Sequence, residues 1–443
     1  MAEPTLCAVA TPPGRGGIGV VRVSGPDAQA LAQAIASPLP APRYAALRRF
    51  RDSNGEALDE GLVLFFPGPQ SFTGEDVVEF HGHGGPIVLD RLLQRLLALG
   101  AVLAEPGAFS QRAFLNGRLD LTRAEAIADL IDAGSESAAR AAMHSLQGEF
   151  AETVNGLVAS VTELRVHLES SIDFADESLA GLAADELSGR IDAIAERLAA
   201  TRRAAGQGQR LQEGLTLVIA GRPNAGKSSL LNALAGRDAA IVTELAGTTR
   251  DILDTQLHID GLPLRVLDTA GLRDGGDVIE QEGVRRAQAA MARADRILLV
   301  SDDAAKDPDA SSDLLDELPA DVPLTRVASK IDLTNRAPGV QAGVIGVSAL
   351  TGAGLDDLRA HLRGELGETH TEAGFIARRR HLQALDAAAE ALTEARSAAV
   401  AGLGDELVAE SLRLAQDRLG EITGTVTTED LLGAIFSTFC IGK

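Results

Sequence analysis

Leu215-Thr216-Leu217-Val218-Ile219-Ala220-Gly221-Arg222-Pro223-Asn224-Ala225-Gly226-Lys227-Ser228-Ser229 is the stretch on which the fold turns. Six consecutive apolar or β-prone residues feed a glycine loop that fits G-x-x-x-x-G-K-[ST] at every position, and a helical pattern follows. Strand, phosphate loop and helix in that order predict a doubly wound α/β unit. The glycines let backbone N–H groups turn toward phosphates, Lys227 neutralises β- and γ-phosphate charge, and the Ser228 hydroxyl is placed to ligate Mg²⁺. Asn224, Ala225, Gly226, Lys227, Ser228 and Ser229 are therefore candidate GTP contacts.

Four further segments follow in order. Gly247-Thr248-Thr249-Arg250-Asp251 offers a hydroxyl, that of Thr249, to the same Mg²⁺. Asp268-Thr269-Ala270-Gly271 closes the predicted strand 263–267, with a carboxylate for Mg²⁺ through water and the Gly271 amide for the γ-phosphate. Ser329-Lys330-Ile331-Asp332 reads the base: the Asp332 carboxylate can accept from N1–H and the 2-amino group of guanine, a pair adenine lacks, while Lys330 covers the ring. The usual first residue of that motif is Asn, and Ser329 is expected to lose a tethering contact while guanine preference survives. Ser348-Ala349-Leu350 supplies a backbone amide to the guanine carbonyl.

One part of a GTPase site is missing. Leu272 stands where many GTPases place a water-orienting Gln, and no arginine finger is fixed by sequence, although Arg222 and Arg250 are near. Asn224 with the 247–251 segment resembles GTPases that use bound K⁺ instead. That comparison gives Asn224, Thr243, Leu245 and Thr248 as K⁺ ligands and the loop Thr243, Glu244, Leu245, Ala246, Gly247, Thr248 and Thr249 as nucleotide contacts. A cation at the β/γ bridge stabilises the charge an arginine would. The alternative is that Asn224 only braces the loop.

The rest of the chain surrounds this unit. With 443 residues, 45% hydrophobic and 23% charged, it exceeds what one core sustains and divides into domains. Residues 1–120 mix short strand runs with helical ones, punctuated by Gly and Pro, as an α+β domain does. Residues 121–210 carry apolar residues at helical spacing (Ala124, Ile127, Leu130, Ile131; Leu157, Val161, Leu164, Leu168), and helical texture returns over 369–443 (Leu382, Leu385, Ala388, Leu392; Leu407, Leu412, Leu414). The unit 211–368 thus reads as an insertion between two helical halves expected to pack on each other. The fold class is multidomain α/β and α: an N-terminal α+β domain, a long-helix domain and an inserted Ras-like doubly wound P-loop G domain.

Net charge is −22, so nucleic acid binding needs a local basic patch or a partner, and 3% aromatic residues with no Trp argue against a base-stacking surface. No signal peptide or membrane span is expected, and the cytoplasm is the expected address. Two cysteines, Cys7 and Cys440, are expected as free thiols. His81 and His83 lack a third ligand at metal spacing.

Four features together carry a specific resemblance: Ala10-Thr11-Pro12-Pro13-Gly14-Arg15-Gly16-Gly17, Glu79-Phe80-His81-Gly82-His83-Gly84-Gly85, the inserted G domain, and the terminal Cys440-Ile441-Gly442-Lys443. Over essentially its whole length the chain resembles the MnmE (TrmE) family of tRNA modification GTPases. The resemblance implies a homodimer through the N-terminal domain and a heterotetramer with the FAD-dependent partner MnmG (GidA). It implies a (carboxymethyl)aminomethyl group added to C5 of the wobble uridine, position 34, of certain tRNAs. It further implies that the one-carbon unit comes from 5,10-methylenetetrahydrofolate, for which 5-formyltetrahydrofolate is an analogue, and that GTP hydrolysis with Mg²⁺ and K⁺ drives the cycle.

Carried over by position, Arg22, Glu79, Arg118 and Lys443 are folate contacts; the family commonly has Lys where Arg118 stands. Glu280, twelve positions after Asp268, aligns with a glutamate that orients the hydrolytic water through a second water, and otherwise reads as a solvated helix acid. Cys440 is a candidate nucleophile for C6 of a pyrimidine or for a one-carbon unit, with an inert packed thiol as the alternative. His81 and His83 are expected to shape the folate pocket. Two rivals stand beside this reading: a ribosome-assembly or RNA-binding GTPase switch, and a folate enzyme whose GTPase is regulatory.

Overall fold

The computed structural model describes residues 3–173, 183–213, 215–235, 253–259, 262–268, 291–292, 294–305, 318–367, 374–440 and 442. These fall into two compact units. One comprises Met1–Ala128, Ser145–Ala199 and Gln383–Lys443; the other comprises Asp129–His144 and Ala200–Leu382.

The first unit begins with β1 (Leu6–Val9), β2 (Gly16–Ser24), α1 (Ala28–Ile35), β3 (Ala46–Arg51), β4 (Ala57–Phe66), β5 (Val77–Gly84), α2 (Pro86–Ala98), β6 (Val102–Leu103) and α3 (Ala108–Leu115). Its six-stranded sheet runs β3-β4-β5-β2-β1-β6, antiparallel except for the β1–β6 pair. Alternate residues of β2 and β5 point into one core, where Val21, Val23, Val78 and Phe80 meet Leu92 and Leu96 of α2. Phe50 and Phe80, both fully buried, stack edge to face with centroids 5.4 Å apart. Burying each contributes about 2–3 kcal/mol.

Long helices follow: α4 (Leu121–Asp132), α5 (Glu136–Gln147), α6 (Glu149–Asp173) and α7 (Ala184–Glu213). In the first unit α6 packs along α11 (Asp405–Thr423), so the helical halves before and after the insertion do meet. In α11 the buried residues Val408, Leu412, Ala415, Leu419 and Ile422 recur at three- and four-residue spacing, and Asp405 and Glu406 in its first turn face the positive end of the helix dipole. Between α7 and α11 the chain passes through α10 (Arg379–Ala401), and Arg396 Nε pairs with Asp192 Oδ1 at 2.5 Å. The last helix, α12 (Glu429–Phe436), starts at Thr428, whose side chain accepts from the Leu431 amide. Its Leu432, Ile435 and Phe436, with Phe439, pack on Leu121 and Ala124 of α4 and on Phe114 of α3. That cluster brings the end of the chain back to the N-terminal sheet.

The second unit holds β7 (Leu215–Ala220), α8 (Lys227–Ala235), β8 (Leu253–Ile259), β9 (Leu262–Asp268), β10 (Arg296–Asp302), β11 (Leu324–Ser329), β12 (Gly339–Gln341), β13 (Val344–Gly346) and α9 (Leu355–Gly367). The seven-stranded sheet runs β12-β13-β11-β10-β7-β9-β8, with a parallel centre and antiparallel pairs at both edges. Leu217 and Ile219 belong to a core on one face, Val218 and Ala220 to a core on the other. Burial on both faces is why β7 reads as an unbroken apolar run rather than an alternating one. The chain goes from β7 to β8 and β9 on one side, then to β10 on the other. The loop after β7 therefore sits at a switch point, where ligands bind in open α/β sheets. Among the described residues no helix is long and apolar enough to cross a membrane.

Candidate functional site

In the second unit the phosphate loop is anchored by backbone contacts that only glycine permits. Gly221 has φ 155°, and a Cβ there would lie 2.3 Å from the Val300 carbonyl oxygen of β10. Lys227, 5% exposed, donates from Nζ to the carbonyls of Gly221 (2.9 Å) and Arg222 (3.0 Å), so its ammonium lies within the loop it would neutralise phosphate from. Ser228 and Ser229 open α8 and are exposed, and Asn224 sits in the left-handed region at φ 63°. Asp268 ends β9 in register with Ile219 of β7, two residues before Gly221.

The base-reading segments meet this loop. Lys330 Nζ donates to the Asn224 carbonyl and to Asp302 Oδ2, each at 2.7 Å. The hydrogen bond from Lys330 holds the Asp302 carboxyl below the usual carboxylate range. Ser329, 4% exposed, places its Oγ 2.5 Å from the Ala225 carbonyl and 3.0 Å from that of Ser301. A side-chain tether to the phosphate loop is thus present, made by a hydroxyl with one proton to donate. Asp332 lies exposed in a 3₁₀ turn, Ile331–Leu333, and its Oδ1 accepts from the buried Ser348 hydroxyl at 2.6 Å. The Ser348 amide is taken by the Ala353 carbonyl (2.9 Å), which leaves the amides of Ala349 and Leu350 for a ligand carbonyl. Ser348 therefore serves the site through its side chain, by orienting Asp332. Thr243, Glu244, Leu245, Ala246, Gly247, Thr248, Thr249, Thr269, Ala270, Gly271 and Glu280 lie outside the described residues.

In the first unit a second constellation forms where the chain's two ends meet. Arg22 on β2 faces Glu79 on β5 across the antiparallel ladder. Its Nε and Nη2 both lie 2.9 Å from Glu79 Oε1, and the other oxygen, Oε2, lies 3.0 Å from His81 Nε2. Arg22 Nη1 donates to the Gly442 carbonyl at 3.3 Å, and its guanidinium lies over the rings of Phe72 (5.5 Å) and Phe109 (5.7 Å). Burial works against the Glu79 charge, but the Arg22 guanidinium beside it and the His81 hydrogen bond hold its carboxyl below the ordinary value. Gly442 takes φ 92°, and a Cβ on it would lie 2.6 Å from the Val9 carbonyl, while Gly107 N–H reaches the Cys440 carbonyl at 3.4 Å. Cys440 is exposed. Cys7 is buried, and burial pushes its thiol up to about 11, which leaves it protonated at neutral pH.

Two known domain descriptions match the chain: "GTP-binding protein TrmE N-terminus" over residues 5–118 and "MnmE helical domain" over residues 121–440. The tRNA modification GTPase MnmE of Alkalilimnicola ehrlichii is 59% identical over 447 residues, covering 100% of both chains. The chain belongs to the tRNA modification GTPase MnmE family. Solved structures similar to part of it include a single-residue variant of Era from Aquifex aeolicus bound to GDP·AlF4⁻. That protein is 26% identical, and the match covers 40% of this chain and 66% of that one with a TM-score of 0.28. The G domain of the FeoB iron transporter of T. maritima is 25% identical over 34% of this chain and 98% of that one, with a TM-score of 0.27.

For a member of the MnmE family, Arg118 is the sequence-derived residue that stands apart. It is exposed, with its stem beside Gly74, and among the described residues no hydrogen bond or ion pair links it to Arg22 or Glu79. Lys443 lies outside the described residues. Of the two histidines, His81 joins Glu79, whereas His83 turns to Asp59, whose Oδ1 lies 2.7 Å from His83 Nδ1 and whose Oδ2 accepts from the His83 amide at 2.8 Å. Sequence reasoning missed the support around Arg22. Phe72 and Phe109 belong to no motif, and neither does the buried Arg112, whose Nη1 reaches Glu75 at 2.8 and 3.0 Å while Ser24 and Thr73 close the network. Among the described residues no group of three or more His, Cys, Asp or Glu could hold a metal.

Proposed function

We propose that the chain is a K⁺-stimulated GTP hydrolase that acts with the flavin-dependent MnmG, as a heterotetramer, to add a (carboxymethyl)aminomethyl group to C5 of the wobble uridine of certain tRNAs. In this reading residues 1–120 form a folate-binding and dimerisation domain, 121–210 and 369–443 two halves of a helical domain, and 211–368 the inserted G domain of a cytoplasmic protein. The observation that supports it most is the meeting of Arg22, Glu79 and Gly442: the Glu79 segment and the terminal segment, both of which carry the family resemblance, converge on one guanidinium, with Gly442 lying 420 residues beyond Arg22.

Asn224 and Ser228 are donors of the kind the reading requires, and the other expected cation donors, Thr243, Leu245, Thr248 and Thr249, lie outside the described residues. Ser228 and Thr249 would hold Mg²⁺, with Asp268 at the end of the neighbouring strand reaching it through water, and Asn224 would take part in holding K⁺; the two cations would supply positive charge to the phosphates. Lys227 neutralises phosphate oxygens once it leaves its loop carbonyls, and Asp332, oriented by Ser348, accepts from the guanine N1–H and 2-amino group. In the first unit the Glu79 carboxylate, kept ionised by Arg22, would accept from the adjacent N–H and amino donors of a pterin. A tetrahydrofolate there would supply the one-carbon unit. Cys440, exposed on the segment that Gly442 anchors, is the thiol available to form a covalent bond to it or to the pyrimidine.

Reconstitution tests the reading. Purified chain, MnmG with its FAD, GTP, MgCl2, KCl, 5,10-methylenetetrahydrofolate, unmodified tRNA and either glycine or ammonium as the amine donor should yield C5-modified uridine by mass spectrometry, and omission of GTP should abolish it. Formation of the same nucleoside by MnmG and folate without this chain would sink the proposal.

A further inference from the structure

The Ser329 side chain lies between two carbonyl oxygens, Ala225 of the phosphate loop at 2.5 Å and Ser301 at the end of β10 at 3.0 Å. It is 4% exposed, so water cannot stand in freely for a missing partner. A hydroxyl carries one proton, and both neighbours are acceptors without one to give. Ser329 can therefore donate to only one of them at a time. A carboxamide at the same position carries two N–H donors and could serve both. The only other side-chain link from this segment to the loop in the described residues is Lys330 Nζ, which donates to the Asn224 carbonyl but is itself shared with Asp302. Its stem is also the part of the segment positioned for the guanine ring.

We infer that Ser329 is a positioning residue that sets guanine-nucleotide residence time: as a one-proton tether it holds the phosphate loop to the base-reading segment loosely, so that nucleotide leaves readily. The same residue leaves base choice untouched, because Asp332 is oriented separately by Ser348. Opening of the site requires the loop carrying the phosphates and the segment carrying the base contacts to part. A tether shared between two acceptors resists that parting less than one serving both. This inference rests on reading the site as a guanine-nucleotide site.

The test is the dissociation of mant-GDP, measured by stopped flow on the full-length chain with excess GDP as competitor. Ser329→Asn should slow dissociation roughly three- to tenfold, the range of one added neutral hydrogen bond, and Ser329→Ala should speed it by a similar factor. Association rates and the preference for GDP over ADP should stay as in the wild type, a split that general loosening of the domain would not give. If Ser329→Ala does not fold, Ser329→Asn decides alone. Unchanged dissociation in Ser329→Asn, with wild-type binding intact, overturns this proposal by itself; a wild-type chain that binds no mant-GDP overturns the nucleotide site and this proposal together.

Discussion

Arg22 donates to the backbone carbonyl of Gly442, 420 residues further along the chain, while the same guanidinium is held by Glu79. One side chain thus reports on both the N-terminal sheet and the docking of the C-terminal tail that carries Cys440.

Gly442→Val should release that tail. A Cβ at 442 would lie 2.6 Å from the Val9 carbonyl and 2.8 Å from Ala10 Cα, both backbone atoms that cannot swing aside, and φ 92° adds strain of its own. The expected outcome is faster carboxypeptidase trimming and loss of tRNA modification, with basal GTP hydrolysis retained. Trimming at the wild-type rate would show that the close approach does not hold the tail.

Glu79→Gln should cost the first unit about 1–3 kcal/mol at neutral pH, the range for a partly buried charge-assisted pair. The Glu79 carboxyl lies below its ordinary value in the folded chain. Its contribution is therefore fully present above the unfolded carboxylate range and is lost as pH falls through the folded value. Calorimetry should find the Glu79→Gln deficit at neutral pH and a smaller one in acid, below the ordinary carboxylate range; a deficit independent of pH would mean packing, not charge, is what Glu79 provides.

Asp332→Asn should exchange base preference. The carboxamide replaces an acceptor with a donor, which opposes the guanine 2-amino group and suits the 2-carbonyl of xanthine. GTP affinity should fall at least ~100-fold while XTP affinity rises. Ser348→Ala, which frees the Asp332 carboxylate from its 2.6 Å bond, should weaken GTP roughly three- to tenfold without admitting XTP. Isothermal titration with both nucleotides separates the two effects.

Asn224→Gly tests the potassium assignment without a backbone penalty. Asn224 occupies φ 63°, which glycine adopts freely, and the backbone carbonyl that accepts from Lys330 is kept. GTP hydrolysis by the wild type should be roughly 100-fold faster in KCl than in NaCl, and Asn224→Gly should erase most of that difference. A variant that keeps its full response to K⁺ would leave Asn224 as a loop brace.

How much of this was legible in the sequence differs between the units. The strand 215–220 and its loop were readable because a strand buried on both faces leaves a continuous apolar run, and Gly221 is fixed by its approach to Val300. That α11 is a helix meeting the earlier helices was readable, but its buried face was not: of Leu407, Leu412 and Leu414 only Leu412 is buried. The core side is completed by Val408, Ala415, Leu419 and Ile422, of which all but Leu419 have smaller or β-branched side chains that stand out less in a row of leucines. The strand 46–51 and the helix 108–115 carried no such signal: β3 lies at the sheet edge with alternating exposed arginines, and α3 is a short element whose Arg112 is buried against Glu75. Phe72 and Phe109 were likewise invisible, because a cation lying over rings from distant segments leaves no spacing to find. The role of Ser329 was half legible: the departure from Asn showed, but the two carbonyls it meets belong to tertiary packing.

The most direct test of the central claim is nucleoside mass spectrometry of total tRNA from a strain lacking this gene, complemented with the wild-type chain, with Cys440→Ser or with Gly442→Val. The account predicts that C5-modified wobble uridines disappear in the deletion, return with the wild-type chain and fail to return with Gly442→Val; Cys440→Ser decides whether the thiol takes part. Modified uridines at the wild-type level in the deletion strain would contradict it.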